Sequence, residues 1–319
     1  MWQPWGVTAH PATRTLARTV GLGALAGTAA LAYSTLVEVR WFALRYVDLP
    51  VLPAGQRELK VLHLSDLHLT PAQDRKRRWL AGLASLEPDL VVNTGDNLAH
   101  MQAVPAVLDA LGGLLDVPGV FVFGSNDYFA PSLRNPVKYL LPDDGSRNTH
   151  TPVLPWRDLR DGFLDHGWLN LTNRKETLKV GDTTFSFAGV DDPHLEYDDL
   201  TAVAGPADQA ADLRVGVTHA PYLRVLDQFA ADGYETVFAG HTHGGQLCLP
   251  GKGALVTNCD LDTGRAKGLH RHPKDAPVGR PGSSWLHVSG GLGTSPYAPV
   301  RFCCRPEATL LRLTAAPIS

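Results

Sequence analysis

Short apolar runs alternate with amphipathic stretches along most of the chain from Lys60 onward. The apolar runs are rich in Val, Phe and Leu and are bounded by Gly, Asp or Ser, which is typical of β-strands. Seven of these runs predict strands: "KVLHLS", "DLVVNTG", "GVFVFG", "TTFSFAGV", "LRVGVTH", "ETVFAG" and "SWLHVSG".

The stretches between the first three predicted strands have apolar residues at helical spacing, in "DRKRRWLAGLASL" and "AVPAVLDALGGLL". The order βαβαβ predicts parallel strands joined by crossover helices, and therefore an α/β domain over residues 59–315. Residues 131–156 carry many Pro, Asp and Asn and show no clear period. They predict a long loop, a candidate lid, with some helix around "NPVKYLL".

The first 45 residues differ in kind, because residues 20–37, "VGLGALAGTAALAYSTLV", contain no charge. That length predicts a single membrane-spanning or signal-anchor helix. The alternatives are a cleaved signal peptide, suggested by Ala-Leu-Ala at 24–26 and 30–32, and a buried core helix. Arg14 and Arg18 precede the apolar run, which favours an extracytoplasmic catalytic domain. Residues 46–58, rich in proline, predict an extended linker.

Composition narrows the class of function. The chain has 319 residues, is 44% hydrophobic and carries a net charge of -3, so a large core is expected and nucleic-acid binding is not. The four cysteines lack the spacing of a disulfide framework or a structural zinc site.

Polar side chains cluster where the predicted strands end. Because the carboxyl ends of parallel strands meet at one edge of a sheet, these clusters predict a shared site. Residues two apart on a strand point the same way, so each D-x-H or H-x-H pair can serve one metal centre. The clusters are Ser65-Asp66-Leu67-His68, Gly95-Asp96-Asn97, Gly124-Ser125-Asn126-Asp127, His219 and His241-Thr242-His243.

In this order the motifs resemble the calcineurin-like metallophosphoesterase superfamily: D-x-H, G-D, G-N-H-[DE], H and G-H-x-H. The resemblance covers essentially residues 59–313. The segments "GHTHGGQ", "SGGLGTSPYAPVRF" and "CRPEATLLRL" are similar to its bacterial membrane-anchored or exported phosphodiesterases. The resemblance implies a four-layer α-β-β-α sandwich, two stacked mixed sheets flanked by helices, with a dinuclear centre at the strand ends.

The resemblance also implies how the ligands are divided between two divalent ions. One ion takes Asp66, His68 and His243; the other takes an amide near Asn126, His219 and His241; Asp96 bridges them. A bridging carboxylate offsets the repulsion between two cations, and a hydroxide bridging the same ions is the implied nucleophile. Mixed Asp, His and Asn ligands suit Mn, Fe, Zn or Ni, without deciding among them.

The third motif departs from the family pattern, since it is Gly124-Ser125-Asn126-Asp127. Read without a gap, Ser125 falls on the ligand position and Asn126 on that of the catalytic histidine. A one-residue shift would let Asn126 serve as the ligand, which is favoured because serine is a poor one. The usual imidazole acid is missing in either case. His100 is a candidate substitute, against the alternative of a solvated histidine early in a helix.

Two further segments have competing interpretations. The basic run of residues 75–78 either faces an anionic headgroup or forms a solvated helix face, and the second is favoured. Residues 191–194, "DDPH", either line the rim of the site or form a turn.

The sequence thus predicts a membrane-associated, dinuclear metal-dependent phosphoesterase that hydrolyses phosphodiesters, with lipid- or cell-envelope-derived phosphate esters among the candidate substrates. The alternatives are a phosphomonoesterase, a nucleotide-lipid pyrophosphatase, and a non-catalytic sensor that keeps its metal but lacks the acid.

Overall fold

The computed structural model describes residues 11–133, 147, 149–277 and 279–316, with side chains from Gly21 onward. The described strands are β1 (Ala43–Leu52), β2 (Leu59–Leu64), β3 (Leu90–Asn93), β4 (Gly119–Phe121), β5 (Leu169–Asn170), β6 (Arg174–Val180), β7 (Thr183–Gly189), β8 (Leu213–Val217), β9 (Thr236–Ala239), β10 (Cys248–Leu249), β11 (Gly253–Ala254), β12 (Gly268–His272), β13 (Ser284–Val288) and β14 (Glu307–Ala315). The described α-helices are α1 (Pro11–Ala32), α2 (Asp74–Gly82), α3 (Val104–Leu111), α4 (Ser125–Tyr128), α5 (Trp156–Asp165), α6 (Leu200–Val203) and α7 (Leu223–Ala231).

Most strands belong to two six-stranded sheets. The first has the order β1-β14-β2-β3-β4-β5, and the second has the order β12-β13-β9-β8-β7-β6. Strands β2 to β5 are parallel, as are β7, β8, β9 and β13, while β14 and β6 pair antiparallel with β2 and β7. All seven strands and both helices predicted from the apolar pattern are confirmed, and both sheets are mixed, as expected.

Alternation along the strands produces the layers. In β2, Leu59 and Val61 pack between the sheets against residues such as Phe185 of the second sheet, whereas Leu62 and Leu64 face outward. The outward face of the first sheet packs on α2, α3 and α5, and that of the second packs on α6 and α7. The predicted four-layer α-β-β-α arrangement is therefore confirmed, because period-two side chains give each sheet two apolar faces.

The predicted linker of residues 46–58 differs from the structure over its first half. Residues 46–52 lie in β1, which pairs in parallel with β14 at the edge of the first sheet. Pro50 is tolerated because an edge strand has one side without a hydrogen-bonded neighbour, and the pairing register shifts between Pro50 and Leu52. The first sheet thus includes residues that precede Leu59.

The N-terminal helix α1 continues as a π-helical turn (Tyr33–Val37) and a 3-10 turn (Glu38–Arg40). Over residues Gly21–Arg40 it is long and apolar enough to cross a membrane, and only 11% of the most apolar stretch is buried. The C-terminal end of this helical segment contacts the domain, since the backbone carbonyl of Ser34 accepts a hydrogen bond from the backbone N–H of Arg301. The helix predicted around "NPVKYLL" lies outside the described residues.

Candidate metal centre

Loops from both sheets meet at one edge of the sandwich. Strands β2, β3 and β4 of the first sheet and β8 and β9 of the second each end a few residues before a predicted ligand. The parallel direction of these strands places their carboxyl ends together.

Four of the predicted ligands form a tight cluster: Asp66, His68, Asp96 and His243 have one ligand atom each within 4.8 Å of one another. The Nε2 atoms of His68 and His243 lie 3.3 Å apart. His243 Nε2 is 3.5 Å from Asp66 Oδ1, and His68 Nε2 is 3.5 Å from Asp96 Oδ2. Two imidazole nitrogens and two carboxylates facing one point are a suitable donor set for a divalent transition metal.

Asp96 connects this cluster to a second group of predicted ligands. Its Oδ2 lies 3.6 Å from His219 Nε2 and accepts a hydrogen bond of 2.7 Å from Asn126 Nδ2. Its Oδ1 accepts a bond of 2.7 Å from the backbone N–H of Asn126. The ring of His241 lies against that of His219, with centroids 5.3 Å apart. One carboxylate thus contacts groups assigned to both ions.

Unsatisfied buried atoms support metal binding. Asp66 Oδ1 and His219 Nε2 are buried without a hydrogen-bond partner among the described residues. Leaving such atoms unpaired costs about 1–3 kcal/mol each, and bound cations would satisfy them. Gly124 preserves the space, since a Cβ there would lie 2.4 Å from Asp96 Oδ1. The residues present therefore fit divalent ions.

Backbone carbonyls orient the histidine rings. His219 Nδ1 lies 2.7 Å from Thr94 O, and His243 Nδ1 lies 3.1 Å from Gly293 O. Both rings thus turn Nε2 towards the centre. His241 Nε2 lies 3.0 Å from Asn258 O, so coordination by His241 would use Nδ1. Such outer contacts fix the tautomer and orientation of metal-binding imidazoles.

The electrostatics of the centre are those of excess negative charge. Burial raises the pKa of Asp66 to about 6. Burial alone would raise the pKa of Asp96, but His219, His68 and the Asn126 hydrogen bonds hold it below its ordinary value. Burial lowers the pKa of His68 to about 4, whereas nearby carboxylates, Asp96 foremost, outweigh burial at His219 and raise its pKa to about 9. Divalent cations would neutralise these carboxylates.

The backbone at the ligands is unusual. Asp66, His68, Asp96, His241 and His243 all have left-handed φ values, between 41 and 68°. Each costs on the order of 1 kcal/mol for a non-glycine residue, so the surrounding contacts must enforce it. Because β2 ends at Leu64, this loop conformation, rather than alternation along a strand, brings Asp66 and His68 together. Neither Asp66 and His68 nor His241 and His243 lie on a strand as predicted, although Asp66 and His68 do converge.

Asp127 joins two ligand loops, a role that the sequence analysis missed. Its Oδ2 accepts hydrogen bonds from the backbone N–H groups of Asp96 (2.8 Å) and Gly124 (3.0 Å). Its Oδ1 accepts from Asn97 (2.7 Å) and Leu98 (3.2 Å). Burial raises its pKa to about 7. The acidic fourth position of the third motif was the available signal.

Arg301 is the second residue that was missed. Its guanidinium is fully buried and donates to the carbonyls of Gly290 (2.7 Å), Gly293 (2.6 Å) and His243 (3.1 Å). It therefore fixes the loop that orients His243. The arginine was visible in "SGGLGTSPYAPVRF", but nothing in that pattern indicated burial.

The remaining predicted residues are placed as follows. His100 is exposed, and its Nδ1 accepts a hydrogen bond of 3.0 Å from the backbone of Gln102, as expected of a solvated histidine. In the "DDPH" segment, the ring centroid of His194 lies 4.6 Å from that of His241, so the segment borders the metal centre. Asp192 is fully buried beside it.

The four residues of the basic run at 75–78 differ in burial. Arg75 and Arg78 are exposed, and Arg77 pairs with Asp109 at 2.5 Å, in keeping with a solvated face. Lys76 is buried instead, and its Nζ donates to the carbonyl of Leu67 at 2.7 Å, between two ligands. The solvated-face interpretation is wrong for this residue.

Comparison with known proteins agrees with this geometry. Residues 59–245 match the model of the calcineurin-like phosphoesterase family. The chain belongs to this family. The predicted resemblance is confirmed, and the chain is a metallophosphoesterase, a hydrolase of phosphoric esters. Members use divalent metal ions, for which the four-residue cluster is a candidate site.

Relatives extend the similarity beyond the matched domain. An uncharacterized metallophosphoesterase of Bacillus subtilis, YkoQ, is 28% identical over 264 residues, covering 81% of this chain and 84% of that protein. The UDP-2,3-diacylglucosamine pyrophosphatase LpxG of Chlamydia trachomatis is 27% identical, and the match covers 85% of this chain and 88% of that protein. A bovine transmembrane protein with a metallophosphoesterase domain is 25% identical, and the match covers 86% of this chain and 58% of that protein. The solved structure of TT1561 of Thermus thermophilus aligns with a TM-score of 0.39 at 14% identity, covering 74% of this chain and 91% of that one.

Proposed function

We propose that this protein hydrolyses phosphodiesters at a centre of two divalent metal ions and is held at a membrane by its N-terminal helix. The observation that carries the proposal is the convergence of buried donor atoms around Asp96, two of which, on Asp66 and His219, are unpaired among the described residues. A centre that only needed structural stability would satisfy these atoms within the protein.

The proposed ligands of the first ion are Asp66, His68 and His243. Those of the second are Asn126, His219 and His241, with Asp96 shared. The contact of Asn126 with Asp96 supports its assignment over Ser125, because it brings the amide to Asp96 Oδ2, the oxygen that also lies 3.6 Å from His219 Nε2 and 3.5 Å from His68 Nε2. An amide oxygen is also the stronger ligand.

When bound, two divalent ions would polarise the phosphate and supply hydroxide near neutral pH. The protein's own groups bind and orient. Asp96, held by Asn126, keeps the two ligand groups together, and Asp127 and Arg301 hold the loops that carry them. The half-buried imidazole of His194, packed on His241, is better placed than exposed His100 to contact a substrate oxygen.

Membrane attachment is supported by the apolar stretch Gly21–Arg40 and by a relative named as a transmembrane protein. We further propose that the catalytic domain lies outside the cytoplasm, because Arg14 and Arg18 precede the span. A monoesterase, a pyrophosphatase on a nucleotide-lipid conjugate, which the name of LpxG suggests, and a non-catalytic sensor are the competing functions.

The test compares full-length protein loaded with Mn²⁺ on bis(4-nitrophenyl) phosphate and 4-nitrophenyl phosphate. We expect preference for the diester, and we expect Asp96→Asn to lower kcat by about 100-fold or more and to weaken metal binding in titration calorimetry, since a neutral amide cannot offset two cations. Exposed Asp116→Asn is the matched control. Metal binding without hydrolysis of either ester would indicate the sensor, and full activity in Asp96→Asn would exclude the shared ligand.

A further inference from the structure

A cavity of about 490 Å³ lies beside the metal centre, between the end of the N-terminal helix and the start of α2. Its apolar lining comes from Leu36, Val39, Phe42, Leu292, Pro296 and Pro299. Its size is that of pockets that hold ligands, about 300–1,000 Å³. The lining residues lie at the end of the N-terminal helix, at the start of α2 and in the loop after β13.

The cavity has cations as well as apolar walls. Arg40 and Arg75 line it and are exposed, and buried Lys76 is also part of the lining. The lining carboxylate of Asp74 lies 3.1 Å from Nη1 of Arg77, which offsets its charge. An apolar chamber with exposed cations is complementary to an amphiphile that carries an anionic group, rather than to a purely polar metabolite.

The proposed membrane anchor would place this cavity at the level of a bilayer surface. Leu36 is 61% exposed and Trp41 is 49% exposed, so apolar surface continues from the helix to the cavity. The guanidinium of Arg305 lies 4.1 Å from the centroid of the Trp41 ring. Trp and Arg at the end of an apolar helix are typical of the headgroup region.

The same loop borders the cavity and the metal centre. Gly293 lines the cavity, its carbonyl lies 3.1 Å from His243 Nδ1, and its N–H donates to Asp66 O at 2.6 Å. A Cβ on Gly293 would lie 2.8 Å from His68 Cβ, so this wall is packed against the ligands. The loop separates the cavity from the ligands by one backbone layer, so an alkyl chain in the cavity would have to pass the edge of this loop for its head group to reach the metal centre.

We propose that this cavity binds an alkyl chain of a lipid phosphodiester that enters from the bilayer, with its phosphate at the metal centre. The inference rests on the proposed function and on membrane attachment, and it adds the substrate class. The helix wall, the exposed cations and the shared loop all favour a membrane amphiphile over a soluble ester.

The test uses two phosphodiesters with one leaving group, methyl 4-nitrophenyl phosphate and hexadecyl 4-nitrophenyl phosphate, in non-ionic mixed micelles with the Mn²⁺-loaded full chain. We expect kcat/KM for the hexadecyl ester to exceed that for the methyl ester by about tenfold or more, because burial of methylenes adds binding energy. In Ala72→Trp, which places an indole at the cavity lining, this ratio should fall by about tenfold while the methyl ester is hydrolysed at the wild-type rate.

Ala210→Trp is the matched control, since Ala210 is likewise an exposed alanine in a turn and does not line the cavity. It should keep the wild-type ratio, which excludes a general effect of a surface indole on micelles. Arg75→Glu should raise KM for the hexadecyl ester more than Arg78→Glu does, because only Arg75 lines the cavity.

An unchanged ratio in Ala72→Trp, equal loss on both esters, or equal effects of the two arginine substitutions would overturn the inference. So would a wild-type protein that hydrolyses both esters equally well. Hydrolysis of neither ester by the wild-type protein would instead contradict the proposed function, so the two failures are distinguishable.

Discussion

At the scale of single residues, the altered third motif is the sharpest question about this centre. Ser125 and Asn126 are both half-buried, but the side chain of Asn126 contacts Asp96 at 2.7 Å. The ligand assignment therefore depends on one amide group, and substitution can decide it.

Asn126→Ala is expected to weaken binding of the proposed second ion by about tenfold or more and to lower kcat strongly, since it removes the proposed oxygen ligand and a contact with Asp96. Ser125→Ala should change either quantity by less than about threefold. Titration calorimetry with Mn²⁺ and the rate on bis(4-nitrophenyl) phosphate measure both effects. The opposite ranking would assign the position to Ser125, as the ungapped reading of the motif requires.

At the scale of elements, the two sheets are joined by a pair of buried histidines. His63 of β2 and His287 of β13 face each other with 2.8 Å between their Nδ1 atoms, and His63 Nε2 lies 3.0 Å from Thr94 Oγ1. Burial lowers the pKa of His287 to about 3 and that of His63 well below its ordinary value. The folded protein thus keeps both rings neutral.

This pair should make stability depend on pH. In the unfolded chain the rings take up protons near pH 6.5, whereas the folded chain does not, so their contribution is complete above pH 6.5 and is lost as pH falls towards 3. From pH 7 to pH 5, the free energy of unfolding should fall by up to about 1.4 kcal/mol per pH unit for each ring.

Urea unfolding in EDTA at several pH values measures this slope, with a His63→Leu/His287→Leu protein as the control. The double substitution should flatten the slope, because the ligand histidines remain in both proteins. Identical slopes would show that the pair does not titrate on unfolding.

At the scale of the whole molecule, the N-terminal helix is fastened to the catalytic domain. The buried carboxylate of Glu38 accepts hydrogen bonds from the backbone N–H groups of Cys303 (3.0 Å) and Cys304 (2.6 Å). These residues follow Arg301, which holds the His243 loop. The end of the proposed anchor therefore contributes to the structure around the metal centre.

A chain beginning at Tyr33 should consequently be more stable than one beginning at Trp41, which lacks Ser34 and Glu38. We expect a difference of about 2–3 kcal/mol in unfolding free energy, since hydrogen bonds to a charged group contribute about 1.5–3 kcal/mol. Denaturant unfolding of the two truncated chains measures it. Glu38→Ala in the longer chain should reproduce most of the loss and exposed Glu58→Ala should not; equal stability of the two chains would show that the fastening is unimportant.

The sequence alone determined the strand pattern, the α/β class and the identity of the polar residues at the strand ends. These features are local: apolar alternation fixes a strand, and the topology of parallel strands fixes the edge at which their ends meet. The left-handed backbone at Asp66 and His243, the burial of Lys76 and Arg301, and the anchoring of loops by Asp127 were decided only by the tertiary structure.

The same distinction explains the linker. Residues 46–52 look irregular as sequence, because Asp48 and Pro50 interrupt the apolar pattern, yet they form an edge strand once β14 is present as a partner. The partner lies more than 250 residues away, with Ala43 opposite Glu307, and pairing of that kind leaves no local signal. The burial of Glu38 likewise has no local signal, since its carboxylate accepts hydrogen bonds from the backbone N–H groups of Cys303 and Cys304, which are brought to it only by folding.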